Sequence, residues 1–302
     1  MTLSPFTALG GGDGLPEGAP YFGGELEGRR LMAPLLDVDA PALADQLGVA
    51  ATLARIADAS VGVLDPGWAS ERTLREARDR VADDDAARLL SRSLDGSTGR
   101  AGGRAAHGSR LVDEVLRAVD GDDVDTLVLP GGSPSDLLGR EVAERIAVQA
   151  DCDVVVANGE HGYGEAPSIL VSIAGGPHSG LAADVARRVA EDWGAWIDVL
   201  HVVDGDASAD ERELAEEYVD AASRRIGRPG TTTTWVLEAD DAAEAIVEQS
   251  RYYGLTVLGA PTTGRLRQLL SGSTSRSIRE NARSVVLSAR NNTGPYSLGG
   301  VE

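Results

Sequence analysis

The chain alternates short apolar runs with amphipathic stretches, and it does so twice. Runs that begin at residues 31, 125 and 152 recur at 169, 255 and 284, a near-constant displacement. Strands that alternate with helices imply a parallel sheet covered on both faces. The recurrence predicts a duplicated α/β unit, built as two tandem open parallel-sheet domains of Rossmann-like type and not as one long sheet. Right-handed crossovers then place any ligand crevice at the carboxyl ends of the strands.

Taken in order, Met1 to about Gly28 is rich in Gly and Pro and reads as a flexible tail or an extended arm on a neighbouring surface. The first half, residues 29–158, has strands predicted at Arg30–Leu36, Ser60–Leu64, Asp125–Pro130 and Cys152–Ala157. Its helices are predicted over Ala40–Asp58, with a stripe at Leu43, Leu47, Ala50, Leu53, Ala54 and Ala57, then Ser70–Ser93 and Ser109–Val119, with one more ending near Ala150. A loop-like stretch, Asp95–Arg104, falls where a third strand belongs, so that strand is weak or absent. Gly159, Gly162, Gly164 and Pro167 punctuate a linker. The second half, residues 168–290, has strands predicted at Ser168–Ile173, Trp196–Val203, Thr231–Leu237, Leu255–Leu258 and Ser284–Ala289. Helices are expected at Gly180–Trp193, Ser208–Ile226, where Ser208 and Glu211 have capping-box spacing, and Asp240–Tyr253. Residues 291–302 form a short tail.

The stretch from Leu255 to Ile278 carries the densest chemistry. A short apolar strand ends at Gly259, where a Cβ would crowd the backbone. Gly272, Ser273 and Thr274 then open a helix with hydroxyls where N-caps belong. Unpaired N–H groups and the positive end of the dipole make such a helix start a phosphate site. A bare βα turn would show the same glycines and serines.

This stretch resembles the nucleotide loop of the universal stress protein family, whose pattern is Gly, two residues, Gly, nine residues, Gly, then Ser or Thr. Gly259 and Gly272–Ser273 fit it; Thr262 stands at the second glycine position, and Gly264 follows two residues later. Ile169–Ala174 is similar to the family's first strand and Val199–Asp204 to its second. The first half resembles the family more weakly, chiefly through Met32–Leu35. The resemblance implies an adenine-nucleotide alpha-hydrolase-type fold and a regulatory, stress-response module that binds ATP or AMP, with Mg possible and at most weak ATP hydrolysis. By position it carries over Ala174, Val202, Leu258, Gly259, Pro261, Thr262, Gly272, Ser273 and Thr274 as nucleotide contacts. Ala174 stands where nucleotide-binding members hold the base or ribose with Asp, so one carboxylate contact is missing. In the first half, Gly131, Gly132, Gly139 and Arg140 take the loop's place, and no nucleotide is expected there. The resemblance further implies pairing through the last strands, as an intramolecular pseudo-dimer or a homodimer, and a membrane transporter as one kind of protein partner.

Charge bounds the partners. The net charge is −20 over 302 residues, every one of the 28 basic residues is Arg, and no Lys occurs. Nucleic-acid phosphate is therefore not an expected partner. An acidic, Lys-free chain suggests adaptation to high intracellular salt. The single cysteine, Cys152, lies in an apolar run and reads as a buried inert thiol in a reducing cytoplasm. No stretch has the length of a membrane span.

Two other readings stay open. One is a scaffold with no nucleotide. The other is an ATP-using enzyme of pyrophosphatase type acting through the loop Ala174–Gly180, with Ser179 at the helix start and His178 as an acid or base. His178 otherwise reads as an exposed turn residue and His201 as a satisfied core histidine, while His107 and His161 sit in loops without metal-ligand spacing. The acidic runs Asp83–Asp85 and Asp204–Asp210 read as solvated faces.

Overall fold

A computed structural model describes residues 7–8, 30–56, 59–65, 67–97, 108–133, 141–158, 162–174, 177–259 and 284–293. The strands are β1 (Thr7–Ala8), β2 (Arg30–Pro34), β3 (Ser60–Leu64), β4 (Thr126–Pro130), β5 (Asp153–Asn158), β6 (Ser168–Ser172), β7 (Trp196–Val203), β8 (Thr232–Glu238), β9 (Leu255–Gly259) and β10 (Val285–Arg290). The helices are α1 (Ala40–Ile56), α2 (Glu71–Arg80), α3 (Asp84–Ser97), α4 (Gly108–Gly121), α5 (Val142–Gln149), α6 (Pro177–Trp193), α7 (Ala209–Ile226) and α8 (Ala242–Ser250).

All ten strands lie in one sheet, in the order β1-β3-β2-β4-β5-β10-β9-β6-β7-β8. Within each half the pairs from β2 to β5 and from β6 to β10 are parallel. The expectation of separate sheets is therefore corrected. The last strand of each half, β5 and β10, pairs antiparallel from Val286 against Asn158 to Arg290 against Val154. The reason is edge chemistry: both strands are buried and mostly apolar, and standing apart each would leave a row of N–H and C=O groups unpaired. Asn292 reinforces the join. Its side-chain amide donates to the carbonyls of Ala147, Ala150 and Cys152 at the end of α5, at 2.9, 2.9 and 3.0 Å.

Period-2 alternation divides the side chains between two faces. Leu31, Val61, Ile169, Val199, Val257 and Leu287 share one core with α1, α2, α3, α6 and α7, and this core runs unbroken across both halves. On the other face, Met32, Leu127 and Val154 pack under α4 and α5. Leu170, Leu200, Leu258 and Val286 pack with Ile246 of α8.

Three local expectations change. The single helix expected over Ser70–Ser93 is two, α2 and α3. Val81 is extended and caps Ala77, while the Asp83 carboxylate accepts the N–H groups of Asp85 and Ala86 and starts α3 afresh. Residues 95–97, expected in a loop, complete α3, and the outer edge of β3 is taken by β1, antiparallel. Asp83 and Asp85 are not solvated: Arg55 of α1 donates to both at 2.9 Å and to Asp192 of α6 at 3.0 and 3.2 Å. One guanidinium thus ties three carboxylates across the join. Cys152 is buried, and that burial pushes its thiol up to about 12, so the inert reading fits.

Candidate functional site

The strand order reverses between β6 and β9. From β6 the chain crosses through α6 on one face to reach β7, whereas it reaches β9 through α8 on the other face. Crossovers that diverge in this way leave a crevice beyond the carboxyl ends of the two strands. Three of the sequence-derived residues meet there. Ser172 pairs with both Leu258 and Leu200, so Ala174 stands level with Val202 on β7 and just past Leu258–Gly259 on β9. Ala174 is exposed, Val202 and Gly259 are half-buried, and Leu258 is buried in the core below. Pro261, Thr262, Gly272, Ser273 and Thr274, with Arg265, Arg267 and Arg276, lie outside the described residues, as do Gly139, Arg140, Gly175 and Gly176.

Close packing explains why residue 259 is glycine. A Cβ there would sit 2.9 Å from the backbone carbonyl carbon of His178 and 2.9 Å from the amide nitrogen of Ser179, at the start of α6. Backbone cannot swing aside as a flexible side chain does. Gly259→Ala is therefore expected to cost about 1–3 kcal/mol by pushing α6 off the strand end; an unchanged urea midpoint would contradict this.

Polar groups around the crevice are mostly spoken for. Ser179 is buried, and its hydroxyl accepts the Ala174 N–H at 3.0 Å. The side chain turns inward to close its own βα turn, which speaks against the alternative reading of this loop as a phosphate cradle. His178 is not an exposed turn residue. It is half-buried, and Nδ1 accepts the Asn291 N–H at 3.1 Å, which joins the start of α6 to the end of β10. Burial, and then the nearby charge of Arg290, lower its pKa, with Asp153 opposing. The accepted N–H and the lowered pKa both favour the neutral ring. His201 is half-buried, with Nδ1 2.9 Å from the Ile173 carbonyl. A carbonyl only accepts, so Nδ1 carries the hydrogen and the ring is satisfied, as expected of a core histidine. Burial lowers its pKa too, against that bond.

The first half differs at the equivalent place. There β2 and β4 pair only at Leu31–Thr126 and Met32–Leu127. Beyond that point Gln46 of α1 inserts its side-chain amide, which donates to the carbonyls of Pro34 at 2.9 Å and Val128 at 2.8 Å. The split between these strand ends is occupied by a protein side chain. Sequence reading missed Gln46, whose one visible signal is a polar pair, Asp45–Gln46, inside an otherwise small and apolar helix.

Among the described residues, no cluster of three or more His, Cys, Asp or Glu side chains could hold a metal, and no helix is long and apolar enough to cross a membrane.

The family model described as the universal stress protein family matches residues 166–290. No curated protein matches the chain. A solved universal stress protein from Archaeoglobus fulgidus DSM 4304 is 16% identical, with a TM-score of 0.52, over 88% of this chain and 98% of its own. At that identity the likeness is one of fold, and it spans both halves. A universal stress protein in complex with cAMP is 21% identical over 41% of this chain and 97% of its own, with a TM-score of 0.34. One from Archaeoglobus fulgidus in complex with dAMP is 19% identical over 40% of this chain and 96% of its own, with a TM-score of 0.33.

Proposed function

We propose that the chain, whose residues 166–290 match the universal stress protein family model, is a regulatory module that binds an adenine nucleotide in the crevice beyond β6, β7 and β9. The observation that carries the proposal is the reversal of strand order at β6 and β9, with Ala174, Val202 and Gly259 aligned at its mouth. The backbone of the β7 end reads the base, and Gly272, Ser273 and Thr274 supply the N–H groups and hydroxyls that take the phosphates. No carboxylate stands at position 174, so the ribose lacks its charged acceptor and affinity is modest. ATP with Mg, or AMP, is the nucleotide to be tried.

Binding without turnover fits the chemistry better than a pyrophosphatase reading. Ser179 and the Ala174 N–H satisfy each other, and the His178 Nδ1 lone pair is committed to Asn291. The His178 Nδ1 therefore cannot act as a base, and the Ser179 oxygen is buried behind its own turn.

Calorimetric titration with ATP and with AMP, at high and low salt, tests the proposal. One site per chain is expected. Ala174 is exposed, so Ala174→Trp fills the mouth without touching the core; it is expected to weaken binding at least tenfold while the melting temperature stays within about 2 °C. Full affinity in that variant would remove the site from this crevice.

A further inference from the structure

Far from that crevice, a cleft of about 230 Å³ opens where the start of α1, the end of α2 and residues 162–163 meet. Its walls include Pro41, Val81 and Tyr163, and its charged lining is Asp45 and Arg80. Asp45 is only 1% exposed. Its Oδ1 accepts the Tyr163 N–H at 2.6 Å, but its Oδ2 has no hydrogen-bond partner. A buried carboxyl oxygen left in this way is costly, and a donor brought in from outside removes the cost. Arg80 is exposed in the last turn of α2, at the rim.

We propose that this cleft binds a small zwitterion of the free α-amino-acid class, its ammonium donating to Asp45 Oδ2 and its carboxylate held by Arg80. Size selects the class. The volume corresponds to roughly eight waters in the liquid, and drug-sized ligands need about 300 Å³ or more. A nucleotide is excluded, and a zwitterion of half a dozen heavy atoms fits. A negative floor and a positive rim match both ends of such a molecule, whereas a simple amine or a simple carboxylate uses one end only. The position gives the site a consequence. Asp45 holds Tyr163, whose ring lies 5.0 Å from that of Trp193 on α6, so an occupant braces the segment that joins the two halves.

Calorimetry on the full chain with L-alanine tests the site, with methylammonium and acetate as the two half-ligands. Asp45→Asn keeps the acceptor for Tyr163 and removes the charge; Arg80→Ala alters only an exposed side chain. A thermal melt of each variant checks the fold. L-alanine is expected to bind at one site, each variant to weaken it at least tenfold, and each half-ligand to bind at least tenfold more weakly. Three results overturn the proposal: no L-alanine heat at tens of millimolar, unchanged affinity in either variant, or a half-ligand that binds as well as the whole.

Discussion

Arg55→Ala is expected to lower the unfolding free energy by about 3 kcal/mol. The wild-type guanidinium makes four hydrogen bonds to Asp83, Asp85 and Asp192, and Asp192 is the largest contributor to the rise of its pKa above the ordinary arginine value. Removing one partner of a buried pair costs roughly 3–5 kcal/mol, because the remaining charge is left unpaired. Here three carboxylates are left together, and Arg88, which also meets Asp85, cannot reach all of them. The Arg55 side chain is 31% exposed, so water screens part of the loss and the lower end of that range applies. Lysine cannot reproduce the planar fork that serves three acceptors, so Arg55→Lys is expected to recover less than half. Salt separates this account from simple lost packing: near 1 M the screening length falls to about 3 Å, and the deficit shrinks. A loss below about 0.5 kcal/mol, or one blind to salt, would count against the network.

The second large effect has the opposite sign. Asp45→Asn is expected to stabilise the protein by about 2 kcal/mol at pH 8 and to do nothing favourable at pH 4. Burial raises the Asp45 carboxyl from 3.8 to about 7; the Tyr163 N–H opposes the shift and Asp39 adds to it. A folded pKa above the unfolded one means that the native state prefers the protonated form. The contribution of that group is complete below pH 3.8 and is lost as pH rises to about 7. Beyond that the ionised carboxyl costs about 4 kcal/mol. Asparagine avoids this cost, yet its amide places an unsatisfied donor at the Oδ2 position, worth about 2 kcal/mol against it. The difference between wild type and variant in urea midpoint, followed from pH 4 to pH 8, isolates the group. A flat difference would mean that Asp45 does not titrate in this range.

The second half was legible because its physics is local. Ser208 and Glu211 announced a capping box, and the structure closes it with both bonds. The β-branched run before Trp235 announced β8, and Gly194, in the left-handed region, ends α6 as a stop. Gly259 was legible as a crowded position, although the neighbour that crowds it, the backbone of α6, lies about eighty residues away in the chain. What stayed hidden depended on partners distant in sequence. Asp83 and Asp85 looked like any acidic surface run until α1 and α6 brought Arg55 and Asp192 beside them. Asp45 and Gln46 stood out only as a polar pair in a helix buried on nearly every side, and nothing local named the carbonyls and the Tyr163 N–H that they meet. The antiparallel join of β5 and β10 is the pairing through last strands that the family resemblance implied; periodicity alone did not show it, because period 2 identifies buried strands but does not say which strand lies beside which.

Adenine nucleotide is expected to occupy the strand ends of the second half. Photolabelling with 8-azido-ATP followed by peptide mapping tests it most directly. Label is predicted in the peptides that carry residues 172–179, 200–204 and 255–259, with protection by excess AMP. Label confined to the first half, or incorporation that excess AMP leaves unchanged, would contradict it.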